Sequence, residues 1–165
     1  MSHLKRSVTF LLGRDVERVD SFLTSPTVEK VVNATTTLRD KCILKMLAQT
    51  GMKRVELYNL DVPDVDLDQA TVTIRERGSR STRAFPISDD LLVDLRHLLG
   101  RRQKGPVFTN SRGERLGVRQ INNVVSTTGK RAGVLGLTCK ALREFFVYEW
   151  KSLGRSRKGL ARILG

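Results

Sequence analysis

Apolar positions recur at intervals of three and four along much of the chain, which is helical spacing. Val16, Val19, Phe22 and Leu23 predict a short helix over Asp15 to Leu23; Ser25-Pro26 breaks it, and Val28, Val31 and Val32 predict another over Thr27 to Ala34. A long helix follows, with Leu38, Cys42, Ile43, Met46 and Leu47 on one stripe from Leu38 to Gln49, ended by Gly51. Val55, Leu57 and Leu60, with Glu56 among them, mark a short helix over Lys53 to Leu60 that turns away from the one before it. Asp61-Val62-Pro63-Asp64 stops it.

Between Val65 and Ile87 the period changes to two. Val65 and Leu67, then Val72 and Ile74, then Ala84, Phe85 and Ile87 form three runs, separated by turn residues at Asp68-Gln69 and at Gly78 to Ser81. They predict a three-stranded antiparallel sheet with a basic hairpin between Ile74 and Ala84. Helical spacing returns over Asp89 to Leu99, with Ser88 as N-cap and Gly100 as stop. A basic loop (Arg101, Arg102, Lys104), a short buried piece (Val107-Phe108) and a turn over Asn110 to Glu114 come next. Ile121, Val124 and Val125 mark a further helix ending near Ala132-Gly133, and Thr138 caps a last long one carrying Leu142, Phe145, Phe146 and Trp150 before Gly154. The predicted fold is mainly α (α+β), helical with one small three-stranded antiparallel sheet. No internal repeat or long linker divides the 165 residues, so one domain is expected.

Charge sharpens the picture. The chain carries 30 Lys plus Arg against 17 Asp plus Glu, a net +13. Met1 to Ala70 holds ten basic and ten acidic residues, and Thr71 to Gly165 holds twenty and seven, so the whole excess lies in the second part. Such an excess points to a polyanion. An anionic membrane would call for one amphipathic helix with its basic residues flanking a bulky apolar face; here they are scattered over hairpin, loops and several helices. At 5% aromatic content, stacking on unpaired bases is a poor main mode, and duplex phosphates fit better. No apolar run approaches the roughly 20 residues of a membrane span, and the apolar stretch within Met1 to Gly13 is too brief for a signal peptide, so a cytoplasmic protein is expected. Cys42 and Cys139 form no metal motif or disulfide framework and read as reduced thiols.

Four phrases in fixed order give the chemistry: T-G-M-K-R-V-E-L (Thr50 to Leu57), R-E-R-G-S-R-S-T-R-A-F-P-I (Arg75 to Ile87), L-T-C-K-A-L-R (Leu137 to Arg143) and I-L-G (Ile163 to Gly165). Their order and separation resemble the catalytic domain of the tyrosine recombinases, the phage integrase family, over roughly Asp15 to Gly165. The resemblance implies attack of a tyrosine hydroxyl on a DNA phosphodiester to give a 3′-phosphotyrosyl intermediate, with no metal or other cofactor. Two arginines stabilise the nonbridging oxygens, a hairpin lysine protonates the leaving oxygen, and a histidine three residues before the second arginine assists.

Carried over by position, Lys53 takes the slot of the first arginine, with Arg54 one residue late and about 100° away on a helix. Arg77 takes the slot of the hairpin lysine, where a guanidinium is a poor acid. Lys140 takes that of the histidine, as in the K-x-x-R integrases of archaeal viruses and plasmids, and Arg143 matches the second arginine. Arg75, Arg80 and Arg83 of the hairpin, Arg101, Arg102 and Lys104 of the loop, and Arg119, Lys130 and Arg131 are the expected DNA contacts. The family's tyrosine follows L-G-H by about ten residues, a place beyond Leu164-Gly165. Tyr58 and Tyr148 do not match it, and Tyr148 reads as a packing residue. The expectation is therefore one recombinase-like domain over 1–165, lacking the nucleophile segment, that binds duplex DNA and does not cut it unaided. It is expected to be monomeric in solution, and a homotetramer on DNA only if that segment is present. The alternative is a catalytically inactive, recombinase-like DNA-binding or regulatory protein.

Overall fold

A single hydroxyl residue starts each of four helices. In the computed structural model, which describes residues 8–11, 14–18, 23–75, 78 and 82–164, the side chains of Thr24, Thr37, Ser88 and Thr138 accept hydrogen bonds from the backbone N–H groups of Thr27, Asp40, Leu91 and Ala141. They cap α1 (Ser25–Asn33), α2 (Leu38–Thr50), α4 (Asp89–Leu99) and α6 (Cys139–Ser152) and satisfy donors that a helix leaves free. Pro26 stands inside the first turn of α1, where its missing N–H costs nothing, so the helix begins at Ser25, two residues before the predicted Thr27. The remaining helices are α3 (Arg54–Asn59), α5 (Val118–Arg131) and α7 (Arg157–Leu164), the last not foreseen beyond its I-L-G phrase.

Helix α2 is the centre of the core. Cys42, Ile43, Met46 and Leu47 are fully buried, and the helix packs against α1, α4 and α6. It stops at Gly51, whose φ of +64° places it in the left-handed region, and a Cβ there would lie 2.4 Å from Cδ1 of Phe146 on α6. Glycine is thus required twice over, by backbone and by packing. Lys45 is buried on the same helix, and its ammonium meets the carboxylates of Asp90 and Asp94 on α4.

The predicted sheet is present: β3 (Val65–Asp66), β4 (Thr71–Arg75) and β5 (Thr82–Pro86) pair antiparallel in that order, with Val65 opposite Val72 and Val72 opposite Phe85. Val72, Ile74 and Phe85 point into the core, and the Phe85 ring meets that of Phe146 edge-on at 6.5 Å between centroids. A second three-stranded sheet was not expected. Its strands are β1 (Val8–Leu11), β2 (Arg14–Arg18) and β6 (Val134–Leu135), with β2 antiparallel to β1 and parallel to β6. The helix predicted over Asp15 to Leu23 is thereby corrected over 15–18; residues 19–22 lie outside the described ones. A short run of apolar residues suits either period, and here pairing of Glu17 with Val134 and Arg18 with Leu135 decides for a strand. No helix among the described residues is long and apolar enough to cross a membrane.

Candidate nucleic-acid interface

Three elements converge on one cleft of about 580 Å³. The turn after α2 contributes Met52, Lys53 and Arg54, α5 contributes Asn122, Asn123 and Ser126, and the start of α6 contributes Leu137 to Lys140 and Arg143. Met52 and Leu137 are buried beneath it, while Lys53, Arg54 and Lys140 are exposed. Four of the five expected catalytic side chains thus share a single depression, and no carboxylate lines it among the described residues. The N-terminal turn of the 14-residue helix α6 opens into the same space, which adds the positive end of its dipole. The fifth residue, Arg77, lies outside the described residues, as does Arg80.

Local folding explains how the cations get there. Lys53 is the N-cap of α3, with extended backbone (ψ 152°), and its N–H donates to Oε2 of Glu56 at 2.7 Å. The 100° offset expected between Lys53 and Arg54 applies to neighbours inside a helix, and Lys53 is still outside it; both side chains therefore reach the cleft. On α6, Leu142, Phe145 and Phe146 face the core and leave Lys140 and Arg143, one turn apart, to line the cleft.

Arg143 is half-buried and held at two points. Nη1 donates to the carbonyl of Gly51 at 2.5 Å and Nη2 to that of Leu164 at 3.3 Å, so its guanidinium ties the end of α2 to the end of α7. Burial pulls its pKa below the ordinary arginine value; the nearby Glu56 carboxylate opposes that, and Arg83 adds to it. A guanidinium remains a cation at neutral pH regardless. Lys140 makes a long, exposed pair with Glu144 (3.7 Å), which holds it weakly. Cys139 also lines the cleft, with Sγ 3.5 Å from Oδ1 of Asn122; burial pushes its thiol pKa up, and Arg54 offsets part of that.

The expected DNA contacts divide. Arg101, Lys104, Arg119 and Lys130 are exposed. Arg119, Asn122, Asn123, Ser126 and Lys130 form a polar stripe on α5 at helical spacing, opposite the buried Ile121, Val125 and Thr128. The asparagines and Ser126 were missed in the sequence, although that spacing was there to find. Arg75 is exposed but pairs with Asp64 at 2.7 Å, and Arg131 reaches back to the carbonyl of Ala34 at 3.2 Å. Two positions are engaged within the protein. Arg102 spends both guanidinium arms on the carbonyls of Pro106 and Val107 (2.8 and 2.9 Å), closing its own loop. Arg83 is buried and donates through Nη2 to Oε1 of Glu56, so it does not face solvent.

Neither tyrosine lines the cleft. Tyr58 borders a separate cavity, with Arg115 over its ring at 5.5 Å. Tyr148 is 49% exposed, not packed away as expected, in a groove along α6 that also takes in Lys140 and Arg143.

A helical domain with a small three-stranded antiparallel sheet is the fold of solved integrase catalytic domains. Residues 21–165 match the sequence model of the phage integrase family, and the chain belongs to that family. It is 30% identical over 148 residues to the tyrosine recombinase XerA of Pyrococcus horikoshii, covering 87% of this chain and 52% of that protein. Identity to the virulence plasmid integrase pGP8-D of Chlamydia trachomatis is 27%, over 99% of this chain and 51% of that one. The chain spans about half the length of the curated relatives it matches. Among solved structures, XerA recombinase superposes with a TM-score of 0.79 at 24% identity, covering 87% of this chain and 53% of that one. A λ integrase dimer bound to a COC′ core site gives 0.69 at 16% identity, covering 90% and 57%.

Proposed function

We propose that this chain binds duplex DNA by seating a backbone phosphodiester in the cleft, as the phosphate-holding part of a site-specific tyrosine recombinase. The observation that carries the proposal is the convergence of Lys53, Arg54, Lys140 and Arg143 on one cleft that no carboxylate lines among the described residues. Donors already aimed at the nonbridging oxygens stabilise the charge that develops when a nucleophile attacks phosphorus. Arg143 supplies the fork, and Lys53 and Arg54 together stand for the first arginine, with Arg54 providing the guanidinium that Lys53 lacks. Lys140 is placed to move a proton, which an ammonium can do and a guanidinium cannot. The polar stripe of α5, with Arg119 and Lys130 at its ends, continues the contact along the duplex.

The attacking hydroxyl is not assigned to Tyr58 or Tyr148, since neither borders the cleft. A λ integrase tetramer is known bound to a Holliday junction; for this chain a tetramer on DNA is proposed only together with a segment that carries the tyrosine. The test uses the purified chain with a fluorescein-labelled 30-base-pair duplex and with the same duplex nicked near its centre. Anisotropy should report binding that the K53A/R54A/K140A/R143A variant loses by at least about a hundredfold, each lost phosphate contact being worth about tenfold at 0.1 M salt. A denaturing gel should show no covalent adduct. Equal binding by the quadruple variant contradicts the cleft as the phosphate site, and an adduct contradicts the assignment of the tyrosines. The second reading, an inactive binding module, is favoured by the loss of the fork at Lys53. Strand cleavage on supplying the tyrosine segment decides against it.

A further inference from the structure

Arg83 carries a puzzle that DNA contact does not solve. It lies on β5 opposite Ile74, its side chain is only 8% exposed, and its Nε has no hydrogen-bond partner among the described residues. A buried arginine facing a carboxylate ordinarily gives two parallel hydrogen bonds. Here Glu56 divides its oxygens instead: Oε1 accepts from Arg83, and Oε2 accepts from the N–H of Lys53 in the turn that carries Lys53 and Arg54 to the cleft. Nor does net stability explain the pair, because the cost of desolvating two ions roughly cancels their attraction, and an apolar pair of similar size would fold as well. What sets the position apart is its neighbour. Arg143 lies within electrostatic reach of both partners, and its guanidinium arms rest on two backbone carbonyls and not on Glu56.

Resting on the reading of the cleft as a phosphate site, we propose that Arg83 is a positioning residue: by neutralising Glu56 it keeps that carboxylate from capturing Arg143, leaving the Arg143 N–H groups that the Gly51 and Leu164 carbonyls do not take available to a DNA phosphate. Without Arg83, Glu56 is a half-buried carboxylate with one oxygen unmatched, and Arg143, which already feels its charge, is a cation able to match it. A carboxylate and a phosphate compete for the same fork, so the phosphate loses a contact. Arg83 has a second effect through the same atom. It joins β5, at the base of the hairpin, to the turn that presents Lys53 and Arg54, so hairpin and cleft share one anchor.

The proposal makes a sign-specific demand that a purely structural role does not. Binding of the whole chain to the 30-base-pair duplex is measured by anisotropy from 50 to 300 mM NaCl, with the thermal midpoint of each variant recorded alongside. Arg83→Met should lower the slope of log K against log[salt] by about 0.9, one phosphate contact, and weaken binding about tenfold at 0.1 M. Adding Glu56→Gln, which keeps an acceptor for the Lys53 N–H but removes the charge, should restore both. Arg83→Lys, which keeps the charge without the fork, should bind like the parent. If methionine lowers the midpoint below the assay temperature, Arg83→Gln carries the same comparison. An unchanged slope in the single variant, no recovery in the double, or loss of binding in Arg83→Lys overturns the proposal while the phosphate site stands. No binding by the parent chain sinks that reading, and this inference with it.

Discussion

At the scale of single residues, the site depends on a few atoms with no spare tolerance. Gly51 joins α2 to the turn bearing Lys53 and Arg54, accepts from Arg143, and leaves room for Phe146. Gly51→Ala should therefore cost about 2–4 kcal/mol, the left-handed backbone contributing roughly 1–2 and the clash with a buried ring the rest. Urea denaturation measures it; a loss under about 0.5 kcal/mol would show that Phe146 can move aside. Arg143→Lys keeps the charge but cannot span the carbonyls of Gly51 and Leu164 or offer a fork. Duplex binding should fall about tenfold, the worth of one charge-assisted pair of hydrogen bonds. Much of this scale was legible in the sequence, because Lys140, Arg143 and the Lys53-Arg54 pair stand in ordered phrases. The internal partners of Arg83 and Arg102 were not legible, because composition reveals a charge and not its partner. The Glu56 that binds Arg83 is 27 residues away in sequence, and only the folded hairpin brings them together.

At the scale of elements, capping residues made helix starts readable: Ser88 and Thr138 were identified from sequence, and each accepts the N-cap hydrogen bond. β2 was misread because its short apolar run suits either period, and the pairing that decides it, with β1 on one side and the distant β6 on the other, appears only in the fold. The tie between α2 and α4 was equally hidden, since a lysine in a helix reads as solvated. Lys45 bonds Asp94 at 2.5 Å and also pairs with Asp90, while Lys41 reaches Asp94 at 3.1 Å. Burial alone would raise the pKa of Asp94 and lower that of Lys45. The pairing outweighs burial in both, leaving Asp94 below its ordinary value and Lys45 above its own. Asp94 thus contributes stability that is present above the unfolded pKa of about 3.9 and is lost as pH falls through its lower folded value. The contribution of Lys45 is present below about 10.4 and is lost as pH rises through its higher folded value. Asp94→Ala should destabilise by about 3 kcal/mol at pH 7, since Lys45 stays buried with half its pairing gone, and should flatten the acid limb of a plot of urea midpoint against pH. An unaltered acid limb would mean that other carboxylates govern it. Beside this tie, burial pushes the Cys42 thiol up to about 12, with Asp94 adding to the effect. A thiol reagent at pH 8 should leave Cys42 unlabelled until the protein unfolds; labelling in the native state would show that the α2–α4 seam opens.

At the scale of the molecule, the basic excess of the second part of the sequence has two destinations. Part of it is internal bracing, as with Arg83, Arg102 and Arg131, whose guanidinium groups hold carbonyls or a carboxylate. The rest is exposed, at the cleft and along α5, where the field is available to a polyanion. Net charge pointed to nucleic acid but could not separate these two populations; hydrogen-bond partners and the lining of the cleft do, and Arg143 belongs to both. Arginine side chains themselves report which population meets DNA. In a 15N-edited NMR titration of the chain with a 16-base-pair duplex, the Nε–Hε signals of Arg143, Arg54 and Arg119 should shift progressively while those of Arg83 and Arg102 stay in place. Shifts confined to arginines away from the cleft, with Arg143 unmoved at saturation, would contradict a phosphate seated between α3 and α6.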